Sequence, residues 1–327
     1  MVDFTATMFH DDNAAREHLE GVRWANGVYC PHCGNADQTR LHKLAGKSTR
    51  PGLWQCNACR EHFTVTVGTV MERSKIALCK WVLGFHLMAT SKKGISAHQM
   101  HRMLGITYKS AWFMMHRIRE AMKEDVKSSG PIGGEGKIVE ADETYIGTRD
   151  VQTPSPQRKG RPYLKRGKSG GAAKRVVVAL VERGGSVRSF HIESATRATV
   201  QDILFRNADR KSTLYTDESK LYPVLGKDFF EHATVRHSAG EYARGPVHTN
   251  TIEGVFSVFK RGMIGVYQHC GEAHLHRYLA EFDFRYNRRA ALGIQDRQRA
   301  AEAILGAAGK RLTYVQANRP PQPGAEA

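Results

Sequence analysis

The spacing of apolar residues changes several times along the chain, and each change predicts a different kind of element. Residues 11–24 (DDNAAREHLEGVRW) carry a thin helical pattern, with Asp11 or Asp12 placed to cap it. From 29 to 66 the apolar runs are short and broken by turn residues, which predicts small strands. Helical spacing returns over Lys75–Thr90. Ser96 can then cap a short helix ending near Leu104, Gly105 supplies a turn, and Tyr108–Met122 forms a second helix.

Beyond the Gly/Pro/Ser linker SSGPIGGEG the period becomes two. KIVEADETYIG reads as a strand with Ile138, Glu140, Asp142 and Thr144 on one face and Glu143 on the other. Val176–Glu182 and Val187–Ile192 form a hairpin, Thr196–Asn207 a capped helix, and Thr213–Thr216 a fourth strand ending at Asp217. An amphipathic helix opens around Glu253, and Leu275–Arg289 makes a closing helix rich in aromatics and arginine. Strand, hairpin, helix, strand, helix is an α/β pattern with a mixed sheet. After a short helical run (AAEAILGAAG), the final NRPPQPGAEA reads as a disordered tail.

Charge narrows the class of partner. The 327 residues include 49 Lys and Arg against 32 Asp and Glu, a net +17, which favours a polyanion. No apolar run approaches a membrane span, and the N-terminus MVDFTATMFHDD lacks the pattern of a signal peptide. A cytoplasmic, nucleoid-associated protein facing nucleic acid is the expectation. Residues 148–175 hold nine basic residues, one acidic residue and three prolines, a solvated loop that is either an inert surface hairpin or a DNA contact.

Four of the six cysteines form the pairs Cys30–Cys33 and Cys56–Cys59, with 22 residues between the pairs. The two-residue spacer lets a tight turn present both sulfurs of a pair to one ion, so the segment reads as a zinc ribbon holding one structural zinc. His32, His42 and His62 offer other donors, but no tetrad using them is as regular. Cys79 and Cys270 stand alone and read as small buried hydrophobes. The two helices that follow suit a helix-turn-helix whose second helix carries Tyr108, Lys109, His116, Arg117 and Arg119 toward DNA. An ordinary helical hairpin with Trp112, Met115, Ile118 and Met122 as core fits the same pattern.

Asp142 within one strand and Asp217 just after another are acids where apolar residues would be expected; Glu253 follows after thirty-five intervening residues. Three carboxylates converging from separate elements can hold two divalent ions, magnesium or manganese, for in-line phosphoryl displacement. Asn250, Glu253 and Lys260 share one helix face, which puts Lys260 in position to meet a phosphate. Arg261 adds a second basic group there, and Asn250 and His248 are accessory candidates.

The sequences YCPHCG, WQCNACREHF, ADETYIG, LYTDESKLY, HTNTIEGVFSVFKRG and LHRYLAEFDFRYNRR together resemble the zinc-ribbon insertion-sequence transposases of the IS1595 family, with their ISXO-like DDE domain. The resemblance runs from the first knuckle to Arg289. It implies a multidomain α/β chain: a zinc ribbon over 1–70, helix-turn-helix region over 71–128, linker at 129–136, RNase H-like catalytic domain over 137–290, then a short helix and tail at 291–327. It also implies binding to terminal inverted repeats, cleavage at the element ends, and joining of 3′-hydroxyls to target DNA. Asp142, Asp217 and Glu253 would be the catalytic triad and Lys260 the accompanying basic residue, in a homodimer or larger synaptic assembly. The same modules would also serve a DNA-binding relative without catalysis, or an RNase H-like nuclease that cuts without strand transfer.

Overall fold

The computed structural model describes residues 3–125, 129–148 and 174–313; most of the basic stretch at 148–175 and the terminal NRPPQPGAEA lie outside them. The chain divides into two units. One contains Asp3–Phe85, Ala97–Ala121 and Ala303–Ala327; the other is mainly His86–Ser96 and Met122–Glu302.

In the first unit, α1 (Asp12–Arg23) starts at Asp11, whose carboxylate accepts the Ala14 N–H at 2.8 Å. Three short antiparallel strands follow: β1 (Leu41–Lys43), β2 (Trp54–Cys56) and β3 (His62–Phe63). Their apolar support is the ring cluster of Trp24, Trp54 and Phe63, with centroids 5.9, 6.0 and 6.4 Å apart. A sheet this small buries too little surface to hold itself together, which leaves cross-linking to the four cysteines. Three helices come next, α2 (Leu78–Thr90), α3 (Ala97–Leu104) and α4 (Tyr108–Met122). Gly105, at φ +58°, makes the left-handed turn between α3 and α4, and the Thr107 hydroxyl caps α4 by accepting the Ser110 N–H at 3.2 Å.

In the second unit the period-two stretch becomes β4 (Ile138–Ile146), the centre of a five-stranded sheet. It pairs antiparallel with β5 (Arg175–Glu182), which pairs with β6 (Val187–Ile192). After α5 (Arg197–Asn207), β7 (Thr213–Thr216) lies parallel on the other side of β4. The chain then makes α6 (Tyr222–Leu225) and an edge strand, β8 (Glu231–Thr234), parallel to β7. Sheet order is therefore β6-β5-β4-β7-β8. The sequence pattern shows four of these five strands. β8, reading EHAT and only half-buried at the sheet edge, has no apolar alternation to detect.

Val139, Ala141, Val178 and Leu180 pack with Val200 and Leu204 of α5 and Tyr222 of α6 on one face. On the opposite face Val177, Ala179 and Val181 meet Ile252, Phe256 and Phe259 of α7 (Asn250–Gly262) and Leu279 and Phe282 of α8 (Leu275–Asn287). A small hairpin, β9 (Ala243–Arg244) and β10 (Val247–His248), precedes α7. α7 begins three residues before Glu253, and a further helix, α9 (Asp296–Leu305), follows α8.

Side chains of α8 close the β6 edge. The Asp283 carboxylate accepts from the Ser189 N–H and hydroxyl, both at 2.7 Å. Asn287 accepts the Val187 N–H at 2.7 Å and donates to the Val187 carbonyl at 3.0 Å. Residues four apart on a helix thus satisfy backbone groups two apart on a strand, which covers this part of the edge. Among the described residues no helix is long and apolar enough to cross a membrane.

Candidate active site

The strand lengths create the carboxylate cluster. β7 follows β4 only as far as the Ala141–Thr216 pair, so Asp217 leaves the sheet where β4 runs on through Asp142 and Glu143. Carboxylate oxygens of Asp142, Glu143 and Asp217 lie within 4.8 Å of one another. Alternation places Glu143 on the opposite face from Asp142, and its partners lie on that side: the Tyr222 hydroxyl donates at 2.7 Å and that of Ser219 at 3.1 Å. Its carboxylate nevertheless joins the cluster, because β4 has no partner on this side beyond Ala141. Glu143 thus keeps the expected face, while its carboxylate also reaches the cluster. The strand period fixes the direction of a side chain, but not its reach where the neighbouring strand has ended.

All three acids have a raised pKa, with burial the first cause in each. Burial first, then the charges of Asp217 and Glu143, push the Asp142 carboxyl up to about 8. Burial likewise raises Asp217 and Glu143, against the lowering effect of hydrogen bonds from Ser219 and Tyr222. A crowded set of hard oxygen donors that resists full ionisation fits a divalent cation of the magnesium or manganese type, whose charge removes the repulsion.

Glu253 stands in the first turn of α7, outside that tight group, with its side chain 43% exposed. Its carboxylate accepts the Thr249 hydroxyl at 3.1 Å and lies 3.5 Å from Nε2 of His237. The field of His237 also lowers Asp217, so this histidine faces the acids of two elements. Glu140, two residues before Asp142 on the same face of β4, is wholly buried against the start of α7. It accepts from the Ile252 N–H at 2.9 Å, the Thr251 hydroxyl at 2.9 Å and Nε of Arg183 at 2.6 Å. Arg183 also donates to the carbonyls of Pro246 and His248, at 2.8 and 2.7 Å, and contacts Nδ1 of His248 at 2.9 Å.

Asn250 is exposed at the start of α7, Lys260 is half-buried two turns along, and Arg261 is exposed with its Nε on the Ser257 carbonyl at 3.1 Å. Neither Asn250 nor His248 joins the carboxylate cluster. Sequence reasoning did not find His237, Tyr222, Ser219 or Arg183. The first three lie in segments without periodicity, and Arg183 reads only as a turn residue. Glu140 was visible as a face-mate of Asp142, but its partner was not.

The four expected zinc ligands come together. Sulfurs of Cys30, Cys33, Cys56 and Cys59 lie within 4.8 Å of one another, with 3.6 Å from Cys30 to Cys59 and 3.8 Å from Cys33 to Cys56. A zinc tetrahedron with bonds of about 2.3 Å has edges of about 3.8 Å, so the set fits that ion. Each knuckle turns the same way: Gly34 and Arg60, the residue after each pair, have φ of +76° and +64°, and their N–H groups bond to the Cys30 and Cys56 carbonyls. His32, His42 and His62 are not in the group, and Cys79 and Cys270 are buried elsewhere.

The basic face expected on α4 is smaller than its sequence suggests. Ala111, Met114, Met115, Ile118 and Met122 face inward, and Arg119 and His116 are buried with them. Arg117 is half-buried, its guanidinium donating to the carbonyls of Glu72 at 3.2 Å and Leu312 at 3.1 Å. Helical spacing places position 119 in the buried stripe with 115, 118 and 122, so the charge pattern misassigned it. Tyr108 and Lys109 remain exposed, with Tyr108 stacked on His98 of α3 at 4.4 Å.

Residues 133–287 match the family model described as an ISXO2-like transposase domain, and residues 10–62 match a transposase zinc-ribbon domain. A Halobacterium salinarum protein described as an uncharacterized protein in transposable element ISH50 is 30% identical over 285 residues, covering 85% of this chain and 91% of its own. Among solved structures, the mariner Mos1 paired-end complex with Mg is 13% identical, covers 74% of this chain and 81% of its own, and has a TM-score of 0.25. The Mos1 strand transfer complex is 12% identical, covering 65% and 77%, with a TM-score of 0.23. At such scores the fold description rests on strand order and register.

Proposed function

The chain belongs to the IS1595 family of insertion-sequence transposases, and from that premise we propose that it cuts DNA at its element's ends and joins the freed 3′-hydroxyls to target DNA. The observation carrying the reading is the convergence of Asp142 and Asp217 at the sheet end, with Glu253 in the first turn of the helix packed on the same sheet. We read the mixed sheet of order β6-β5-β4-β7-β8, with Asp217 just past the end of β7 beside Asp142 of the central strand, as an RNase H-like catalytic domain. Asp142 and Asp217 would hold the divalent cations, with Glu253 as the third acid. When bound, the cations activate the attacking oxygen and stabilise the leaving one. Lys260, about 10 Å along the axis of α7 from Glu253, meets the phosphate backbone. The partner is double-stranded DNA, first the terminal inverted repeats and then the target, held by a homodimer or larger assembly in the cytoplasm.

The zinc ribbon and the α3–α4 pair, read as a helix-turn-helix, serve end recognition, with Tyr108 and Lys109 as the outward groups of α4. Arg117 and Arg119 support that helix from within. The test is in vitro joining of pre-cut element ends to a target plasmid with magnesium or manganese. Wild-type protein joins, and Asp217→Asn binds ends but does not. Joining by Asp217→Asn would remove the proposed triad, and cleavage without joining by wild type would make the protein a nuclease.

A further inference from the structure

Glu253 is poorly held by its own surroundings. Its side chain is 43% exposed, and its direct neighbours are the hydroxyl of Thr249 and the ring of His237. Its position therefore depends on where α7 begins. Thr249, the residue before the helix, gives no side-chain bond to the free amides of the first turn, because its hydroxyl is turned to Glu253. The Asn250 amide meets Nδ1 of His248 at 3.4 Å, but that of Ile252 would lie unsatisfied next to the sheet without another acceptor. Glu140 fills that role from β4: one oxygen takes the Ile252 N–H, and the other takes the Thr251 hydroxyl and Nε of Arg183. A carboxylate at a helix N-terminus is also favoured by the helix dipole. The remaining donors of Arg183 fix the two residues that lead into the helix, through the carbonyls of Pro246 and His248, and its guanidinium lies 4.9 Å from the centre of the Tyr215 ring on β7.

We infer that Glu140 and Arg183 form a strut that sets where Glu253 stands relative to Asp142, making both positioning residues for the divalent-metal site. The geometry is direct. Asp142 and Glu140 are two residues apart on one face of one strand; the first ends in the carboxylate cluster and the second ends on the amide beside Glu253. Displacement of α7 along the sheet then requires breaking the Glu140 contacts as well. A purely structural contact could lie anywhere along α7. This one is at the turn that carries the third acid and leaves the rest of the helix to apolar packing by Ile252, Phe256 and Phe259. The inference rests on the catalytic reading above.

The experiment measures Mn2+ affinity of the full-length, zinc-loaded protein without DNA, by the electron-spin resonance signal of free Mn2+. Glu140→Gln keeps the volume, but its amide nitrogen must face either the Ile252 N–H or the Arg183 fork. It is expected to weaken Mn2+ binding about 10- to 100-fold, the usual range for partners that orient metal ligands. Glu253→Gln should do the same, and the double variant should bind no more weakly than Glu253→Gln alone. Hydrogen exchange at the Ile252 amide should speed up in Glu140→Gln. Arg183→Lys, which keeps the charge but loses the fork, should show the same pattern and replaces Glu140→Gln if that variant fails to fold. Unchanged affinity in the folded variants, or losses that add in the double variant, would overturn the strut. Absence of Mn2+ binding by wild type would instead remove the catalytic reading itself.

Discussion

Replacing Asp142 by asparagine asks whether the carboxylate cluster is built for a cation. In the metal-free fold the Asp142 carboxyl is pushed from 3.8 to about 8, mainly by burial and then by Asp217 and Glu143. The folded protein therefore holds a proton that the unfolded chain has released between about pH 4 and pH 8, and stability falls as pH rises through that window. At about 1.4 kcal/mol for each pH unit, the full effect above pH 8 is about 6 kcal/mol, and about 3 kcal/mol of it develops between pH 5.5 and 8. Asparagine cannot ionise, so the variant lacks this slope. For a unit of this size about 1 kcal/mol moves the melting temperature by roughly 2–4 °C. Melting of wild type and Asp142→Asn is followed by calorimetry at both pH values, without added magnesium and without chelator so that zinc is retained. The variant's advantage should grow by roughly 6–12 °C from pH 5.5 to pH 8.5. Magnesium at one hundred times its dissociation constant should restore about 2.7 kcal/mol to wild type and nothing to the variant. An advantage that is constant or shrinks with pH, or a variant that still responds to magnesium, would refute the reasoning.

Zinc analysis should give one ion per chain, and Cys59→Ser should lose it together with protection of residues 29–66 from proteolysis, since the three aromatic rings alone leave that segment a very small core. Lys109→Ala should leave melting unchanged, weaken binding to element ends, and reduce the salt dependence of binding by about one counterion. Arg119→Ala should do the reverse on stability, costing several kcal/mol in urea unfolding because the side chain is buried. Asn287→Ala uncovers the Val187 N–H and carbonyl at the sheet edge and should cost about 1–3 kcal/mol by urea titration, with more aggregation.

Local chemistry left clear marks in the sequence. The two cysteine pairs predict the ribbon because each knuckle is a short local turn, and the four sulfurs meet as their spacing implies. The α3–α4 turn was marked by Gly105 for the same reason. Asp142 and Asp217 stood out because acids rarely interrupt apolar strands, and the structure brings both to one point. β8 leaves no mark because a half-buried edge strand needs no alternation, and a charge pattern does not show that Arg119 lies in the buried helical stripe.

Local pattern specifies the parts: a four-cysteine ribbon, a helical pair, a mixed α/β domain, and the acids on its strands. Their periods are set by local backbone geometry and repeat within a few residues. Tertiary structure decided how those acids are used. The early end of β7 lets Glu143 join Asp142 and Asp217, and the helix start carrying Glu253 is tied to Glu140 through a contact 112 positions away in the chain. Neither follows from a period, because strand endings and long-range hydrogen bonds are fixed only when the two faces of the sheet pack.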